Sequence, residues 1–337
     1  MSNSLRVCIP GPRTGVGGPA AFRSRLNRVF ERRGVGVTDD LYDESFSAVL
    51  LSPATRHVRQ IVALHRNGVR IVQRLDGINW RHRVEETPLR SRIIASGRNR
   101  LMAFLRHRVS DRIVYQSDFV HRWWEEAFGP TRAPWSVIRN GVDLNDYQPA
   151  PRPDNENTRN RQLICVEGNL PSDRLTISSL IQTHRELLAR GVIDRTVLCV
   201  GNSDIARGLL AGEGITIRGP LAAAAVREEL GRSDVFLSLE VNPACPNAVI
   251  EALATGLPVC GFATGGLAEV VAGAGRLVPF GGDPWRLEPP NNGHDLALAV
   301  EEVTAELDKY RRRARSRAEE HFDIEDVAER YLQVLFS

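Results

Sequence analysis

Glycines, carboxylates and side-chain amides fall in a few places where they could do chemistry. Gly11-Pro12-Arg13-Thr14-Gly15-Val16-Gly17-Gly18 joins an apolar segment to an amphipathic one. Glycines such as Gly15, Gly17 and Gly18 let backbone amides close on an anion. A following helix N-terminus adds free N–H groups and a partial positive charge. The spacing is neither that of a nicotinamide-binding glycine loop nor that of a P-loop, and a plain tight turn is the alternative. Asp76-Gly77 ends another apolar run. A carboxylate there could touch a sugar hydroxyl, or simply form an Asx turn. Asn247 and Glu251 stand four residues apart. Asn247 reads as the N-cap of a helix. Glu251 could accept hydrogen bonds from a ribose diol, although an acid in a first turn ordinarily just complements the helix dipole. Gly265-Gly266 makes a second glycine turn ahead of Glu269, and Asn140-Gly141 is a turn signal that reads most simply as a corner without chemistry.

These residues need elements to hold them, and the apolar pattern supplies two series. Strands are expected over Leu5–Pro10, Ala48–Ser52, Val69–Leu75, Arg112–Gln116 and Ser136–Arg139. Helical spacing runs over Pro19–Arg33, Thr55–Asn67, Leu89–Val109 and Asp118–Phe128. Gln148–Gln162 has three prolines and almost nothing apolar, so it reads as a linker. The second series has strands near Leu163–Glu167, Thr196–Gly201, Ile215–Arg218, Val235–Leu239, Val259–Phe262 and Arg276–Pro279. Its helices fall near Leu175–Arg190, Ala222–Gly231, Asn247–Thr255 and Leu267–Ala272, and the chain is helical and charged from about Asp295. Such alternation predicts an α/β fold with two doubly wound, mostly parallel sheets. The expected boundaries are 1–147, a linker over 148–162, 163–322, and a last helix over 323–337. Ligands in such folds bind beyond the carboxyl ends of the strands, so a cleft between the domains is the expected site.

The 337 residues carry 42% hydrophobic and 25% charged side chains, a globular composition that excludes disorder, collagen and coiled coil. No apolar run reaches the roughly 18 residues of a membrane span, and the first ten residues lack the zones of a signal peptide. Five scattered cysteines without a CxxC pair suit reduced, buried thiols, so a cytoplasmic protein without structural zinc is expected. Lys309 is the only lysine among 44 basic residues, so any bound anion falls largely to arginine. Residues 1–150 hold 24 basic and 14 acidic side chains, a net of +10, and the rest 20 and 27, a net of −7. The first half therefore expects a negative partner. Arg90, Arg92, Arg98, Arg100, Arg106, Arg108 and Arg112 gather on and beside one predicted helix with Ile93, Ile94, Leu101, Met102, Phe104 and Leu105. Such a helix is either a solvated face packed on its own domain or a surface for an anionic membrane. No motif for nucleic acid accompanies the charge. The later run Arg311 to Arg317, alternating with Glu319 and Glu320, reads as a solvated helix.

Taken in order, the motifs resemble those of GT4-type retaining glycosyltransferases. Asn247-x-x-x-Glu251-Ala-Leu-x-x-Gly256-x-Pro258-Val259, followed by Gly265-Gly266-x-x-Glu269, is similar to the donor-site signature of that family. Val137–Asp143 is similar to its interdomain segment, Gly15–Gly18 to its N-terminal glycine loop, and Asp234–Ser238 to a strand ahead of the donor site. Any one block is a weak match; the series spans about residues 5 to 335. The resemblance implies a GT-B fold, with an N-terminal acceptor domain, a C-terminal nucleotide-sugar domain and a last helix crossing back to the first. It further implies that Glu251 binds the donor ribose and that Asn169 and Arg174 occupy the positions of a diphosphate-binding pair. Arg174 keeps the charge there and Asn169 loses one. Pro243 stands where an earlier glutamate is common, with Glu240 three residues away. Asp76 stands where a histidine is common.

The function so implied is transfer of a sugar, with retention, from a nucleoside-diphosphate sugar to a glycan, lipid-linked or other hydroxyl acceptor, as in bacterial polysaccharide or glycoconjugate synthesis. UDP or GDP is the expected nucleotide. No cofactor or metal is expected, because no Asp-x-Asp and no metal-type histidine spacing occurs. Arg174 and Asp76 are the expected catalytic residues. Gly15, Gly17, Gly18, Asn169, Arg174, Asn247 and Glu251 are expected to bind the donor. The leaving phosphate would itself help deprotonate the acceptor. Departures at Asn169 and Pro243 leave a second reading, an inactive subunit that binds or stabilises a partner. A nucleotide-sugar epimerase ranks below both, since its extra carboxylates and histidines are not evident.

Overall fold

Runs such as Ala48–Leu51 and Val235–Ser238 are buried at every position, as strands covered by helices on both faces must be. The computed structural model describes residues 5–11, 18–43, 45–52, 55, 57–151, 161–168, 175–201 and 203–337. The chain divides into two compact units, residues 1–143 with 322–337, and residues 144–321.

Along the first unit run β1 (Arg6–Cys8), α1 (Gly18–Arg32), β2 (Gly36–Thr38), β3 (Ala48–Leu51), α2 (Val58–Arg66), β4 (Arg70–Leu75), α3 (Leu89–Arg108), β5 (Arg112–Tyr115), α4 (Asp118–Phe128) and β6 (Trp135–Val137). The six strands are parallel, in the order β2-β1-β3-β4-β5-β6. Three-residue β2 was not expected from the sequence. Its Gly-Val-Thr has little apolar character, and it gains its place by pairing with β1 at the sheet edge.

The second unit holds β7 (Gln162–Glu167), α5 (Ile177–Ala189), β8 (Arg195–Val200), α6 (Ser203–Leu209), β9 (Thr216–Arg218), α7 (Ala223–Arg232), β10 (Val235–Ser238), α8 (Asn247–Ala254), β11 (Val259–Phe262), α9 (Leu267–Val271), β12 (Gly275–Val278), α10 (Gly293–Ala305) and α11 (Leu307–His321). Its strands are also parallel, in the order β12-β11-β10-β7-β8-β9. Read from β9, this is the dinucleotide-fold order 3-2-1-4-5-6. Connections diverge between β7 and β10, the switch point where such sheets bind ligands.

The last helix, α12 (Ile324–Phe336), belongs to the first unit. Ile324, Val327, Ala328, Tyr331 and Leu335 enter the same core as Val7, Phe22, Phe30, Val72 and Ile138. Val142 pairs in parallel with Asp323, whose carboxylate caps the helix by accepting from the Glu325 amide. Asn140-Gly141 serves this packing: a Cβ on Gly141 would stand 2.9 Å from Ile324 Cδ1 and 3.0 Å from Ile324 Cα.

One helix departs from its expected character. α11 is not a freely solvated charge run over Arg311 to Arg317, although Arg312 and Arg313 are exposed. Arg311 Nη2 donates to Asp234 Oδ1 at 2.6 Å. Arg315 Nη1 donates to the carbonyls of Tyr147 and Ala254, and Arg317 to those of Glu269 and Val270. Carbonyls at the ends of α8 and α9 lack intrahelical donors, and guanidinium groups supply them. Charge alternation in sequence does not reveal that need. The five cysteines are free and buried.

Candidate functional site

At the carboxyl ends of the second sheet, β7 finishes at Glu167 and β10 leads into Leu239–Glu240. Glu167 Oε1 accepts from the Leu239 amide at 3.4 Å, tying the two strand ends together at the switch point. Burial pushes the Glu167 carboxyl up to about 8, the nearby Glu240 charge adds to the rise, and the Leu239 hydrogen bond opposes it. A carboxyl protonated at neutral pH can donate a hydrogen bond to a ligand oxygen. The sequence reading did not single out Glu167, because an acid at a strand end looks like an ordinary boundary residue.

The loop after β10 is held by backbone contact. Asn242, at φ 52°, donates its amide to Thr264 Oγ1 at 3.2 Å, and the Gly266 amide donates to Pro243 O at 2.6 Å. Gly265, at φ 58°, has no room for a side chain: a Cβ would lie 2.5 Å from the Asn242 carbonyl carbon. Gly265-Gly266 thus has a structural reason, the close approach of two loops at one end of the sheet. α8 starts from this loop, and here the expected N-cap is corrected. Pro246 occupies the cap position, without a side-chain cap hydrogen bond, and Asn247 is the first helical residue. Pro246 has no N–H to leave unsatisfied and its φ is already set, so it can begin the helix where an amide side chain was expected. Asn247, Ala248 and Glu251 are the half-exposed residues of α8, whereas Val249, Ile250, Ala252, Leu253 and Ala254 are buried. Asn247 and Glu251 therefore share its open face, one turn apart.

In the first unit, Asp76 follows the last residue of β4 and is half-buried. Burial pushes its carboxyl up to about 6, against the opposing charge of Arg74. Trp124 Nε1 donates to Asp76 O at 2.8 Å. Arg74, two residues earlier on the same strand face, is 4% exposed. It donates to Asn140 Oδ1 at 2.6 Å and stacks 4.1 Å over the Phe22 ring. Gln116, with its amide oxygen turned inward, accepts from both Arg74 terminal nitrogens at 3.1 and 3.2 Å. Asn140 therefore anchors a buried cation beneath Asp76. Asn79 and Asn99 exchange hydrogen bonds of 2.7 to 3.1 Å that fix the following loop to α3.

Asp76 and Gly18 lie in the first unit, Gly18 as the first residue of α1. Asn247 and Glu251 lie in the second. Gly15, Gly17, Asn169 and Arg174 lie outside the described residues. Among the described residues no cluster of three His, Cys, Asp or Glu side chains could hold a metal ion.

Residues 161–304 match the family model described as glycosyl transferases group 1. A search of curated proteins finds no match. Among solved structures, HepE (Alr3699) of Anabaena, in complex with UDP and glucose, superposes with a TM-score of 0.69 at 13% identity, over 98% of this chain and 99% of that one. WaaG, described as a glycosyltransferase involved in lipopolysaccharide biosynthesis, gives 0.64 at 15% identity, over 99% and 100%. The pneumococcal O-GlcNAc transferase GtfA, in complex with UDP and GlcNAc, gives 0.60 at 14% identity. The present chain covers 56% of GtfA. Such likenesses carry the fold and not the activity. The chain is thus a GT-B protein of two Rossmann-like units, the second of which matches the group 1 glycosyl transferases.

Proposed function

We propose that this protein is a retaining glycosyltransferase that moves a sugar from a nucleoside-diphosphate sugar, with UDP or GDP as nucleotide, to a hydroxyl acceptor. The observation that carries this reading is the overlap of two features in the second unit. The family match covers residues 161–304, and within it the half-exposed face of α8 presents Asn247 and Glu251 beside the sheet's ligand-binding end. HepE and GtfA bind UDP and a sugar in their structures, which supports the same donor class here. In this reading Glu251 holds the ribose diol, and Asn169, Arg174, the Gly15–Gly18 amides and the start of α8 hold the diphosphate without a metal or other cofactor.

Asp76 orients the acceptor from the first unit. The acceptor oxygen bonds to the anomeric carbon as the bond to the diphosphate breaks, and the acceptor proton passes to the leaving phosphate oxygen. The acceptor is a glycan or a lipid-linked sugar of bacterial polysaccharide or glycoconjugate synthesis, reached from the cytoplasm or its membrane face.

Melting the purified protein with UDP-, GDP- and ADP-sugars tests this. A ligand at 100 times its Kd adds about 2.7 kcal/mol of stability. One nucleotide is expected to raise the Tm of wild type and not of Glu251→Ala. If none does, the departures at Asn169 and Pro243 favour a subunit without transferase activity. The anomer of the product, read by NMR, tests retention.

A further inference from the structure

α3 is the most unusual surface of the first unit. Its 20 residues contain no acid, and the nearest preceding acids are Glu85, which pairs with Arg81 at 2.7 Å, and Glu86. Only its later half turns to the sheet: Asn99, Met102, Ala103, Leu105 and Arg106 are buried. Leu89 is 71% exposed, Ile93 62%, Ile94 44% and Phe104 46%. Leu89, Ile93, Gly97, Arg100 and Phe104 follow one another at helical spacing along the outward line. Arg90, Arg92, Arg98, Arg100 and Arg108 are exposed, and among the described residues none of them enters an ion pair. An apolar line over Leu89, Ile93 and Gly97, with Arg100 following it and further unpaired cations beside it, matches a surface that is apolar below and anionic above.

Topology says where that line sits. α3 connects the parallel strands β4 and β5, so it starts at the carboxyl end of the sheet and returns to the amino end. Asn79, three residues past Asp76, is fixed to Asn99. Asn99 lies ten residues into the helix, so roughly 15 Å of α3 extends beyond that contact. Every residue from Leu89 to Ile94 is exposed.

We infer that the projecting start of α3 docks on an anionic lipid surface, with Leu89, Ile93 and Ile94 entering the headgroup boundary and the neighbouring arginines meeting lipid phosphates. Nucleic acid would use the cations and leave the apolar line without a role, so lipid is the favoured partner. This goes beyond the proposed donor chemistry: it gives the protein a lipid partner, and it holds the end of the sheet that carries Asp76 at the membrane surface.

The test is co-sedimentation of the whole chain with phosphatidylcholine vesicles, with and without about a third phosphatidylglycerol. Binding to the anionic vesicles is expected, weakened by salt and small on the neutral ones. Ile93→Ser with Ile94→Ser, and separately Arg90→Ala with Arg100→Ala, are each expected to lower partitioning about tenfold or more. Neither should change the melting shift given by a sugar nucleotide, which separates this inference from the donor reading. Ile93→Cys carrying an environment-sensitive dye should shift its emission to the blue on anionic vesicles; the native thiols are buried and spared. The inference fails if wild type stays in the supernatant with anionic vesicles at low salt, or if both double variants sediment like wild type. It also fails if α3 instead joins two copies in solution, seen as a dimer that Ile93→Ser with Ile94→Ser dissociates, or if RNA and not lipid binds through these arginines.

Discussion

Glu167 and Asp76 are both carboxyls raised by burial, and they lead to different expectations. For Glu167 the folded value of about 8 lies above the 4.5 of a free side chain, so the folded state binds more protons between those limits. Stability therefore falls as pH rises through that window. Glu167→Gln keeps the neutral donor and cannot ionise. It is expected to melt like wild type near pH 5 and above wild type at pH 9, in thermal melts followed across pH. For Asp76, ionisation near pH 6 is expected to appear as a rise in transfer rate through that pH. Asp76→Asn should lower kcat about 100-fold and flatten that limb, read from the pH profile of transfer. The pairing of Asn247 with Glu251 was legible in the sequence, because a four-residue interval on an amphipathic helix carries its own geometry. Arg74 was not legible. Its partners Asn140, 66 residues away, and Gln116 meet it only once adjacent strands are in register.

The helices and strands were legible where the side-chain pattern is local. Apolar runs marked most strands of both sheets, and glycines marked the turns. β2 escaped because sheet pairing, not composition, makes it a strand. α3 was legible as a helix, but its apolar residues left two readings, a face packed on its own domain or a membrane surface. Of the six named, only Met102 and Leu105 are buried, because the helix turns only its later half to the sheet, and that half is set by the fold and not by local spacing. Glycines show the same split between local and long-range causes. Gly141→Ala would push a methyl into the Ile324 backbone and is expected to cost about 1–3 kcal/mol. Gly97→Ala, with nothing within 4 Å of the added carbon, should stabilise α3 by about 0.5–1 kcal/mol. Chemical denaturation of the two variants distinguishes these opposite signs.

For the molecule as a whole, the parallel order of both sheets follows from alternation of strand and helix, and the two-unit fold is the level at which the sequence was most informative. Among the described residues no helix is long and apolar enough to cross a membrane. The last helix carries more than its length suggests. Deleting residues 322–337 removes five buried side chains from the core of the first unit. At about 1.5–3 kcal/mol for each of the larger ones, the loss is comparable to the whole stability of a domain. Calorimetry of the truncated chain is expected to show the second unit melting alone, with the unfolding enthalpy reduced by roughly half. A full-size transition after truncation would mean that the first unit holds without α12.

The junction of Val142 with Asp323 also has a consequence in time. Residues 144–321 are looped out between two neighbouring points of the first unit. During synthesis, the groove that α12 fills stays open from the moment Asp143 leaves the ribosome until the final helix emerges. Translation at about 5–20 residues per second makes that interval roughly 10–40 s. Through it Val29, Phe30 and their neighbours wait for Tyr331 and Leu335. A nascent chain stalled within the second unit therefore displays an apolar groove that the finished protein never shows, and it is there that a ribosome-associated chaperone would find its grip.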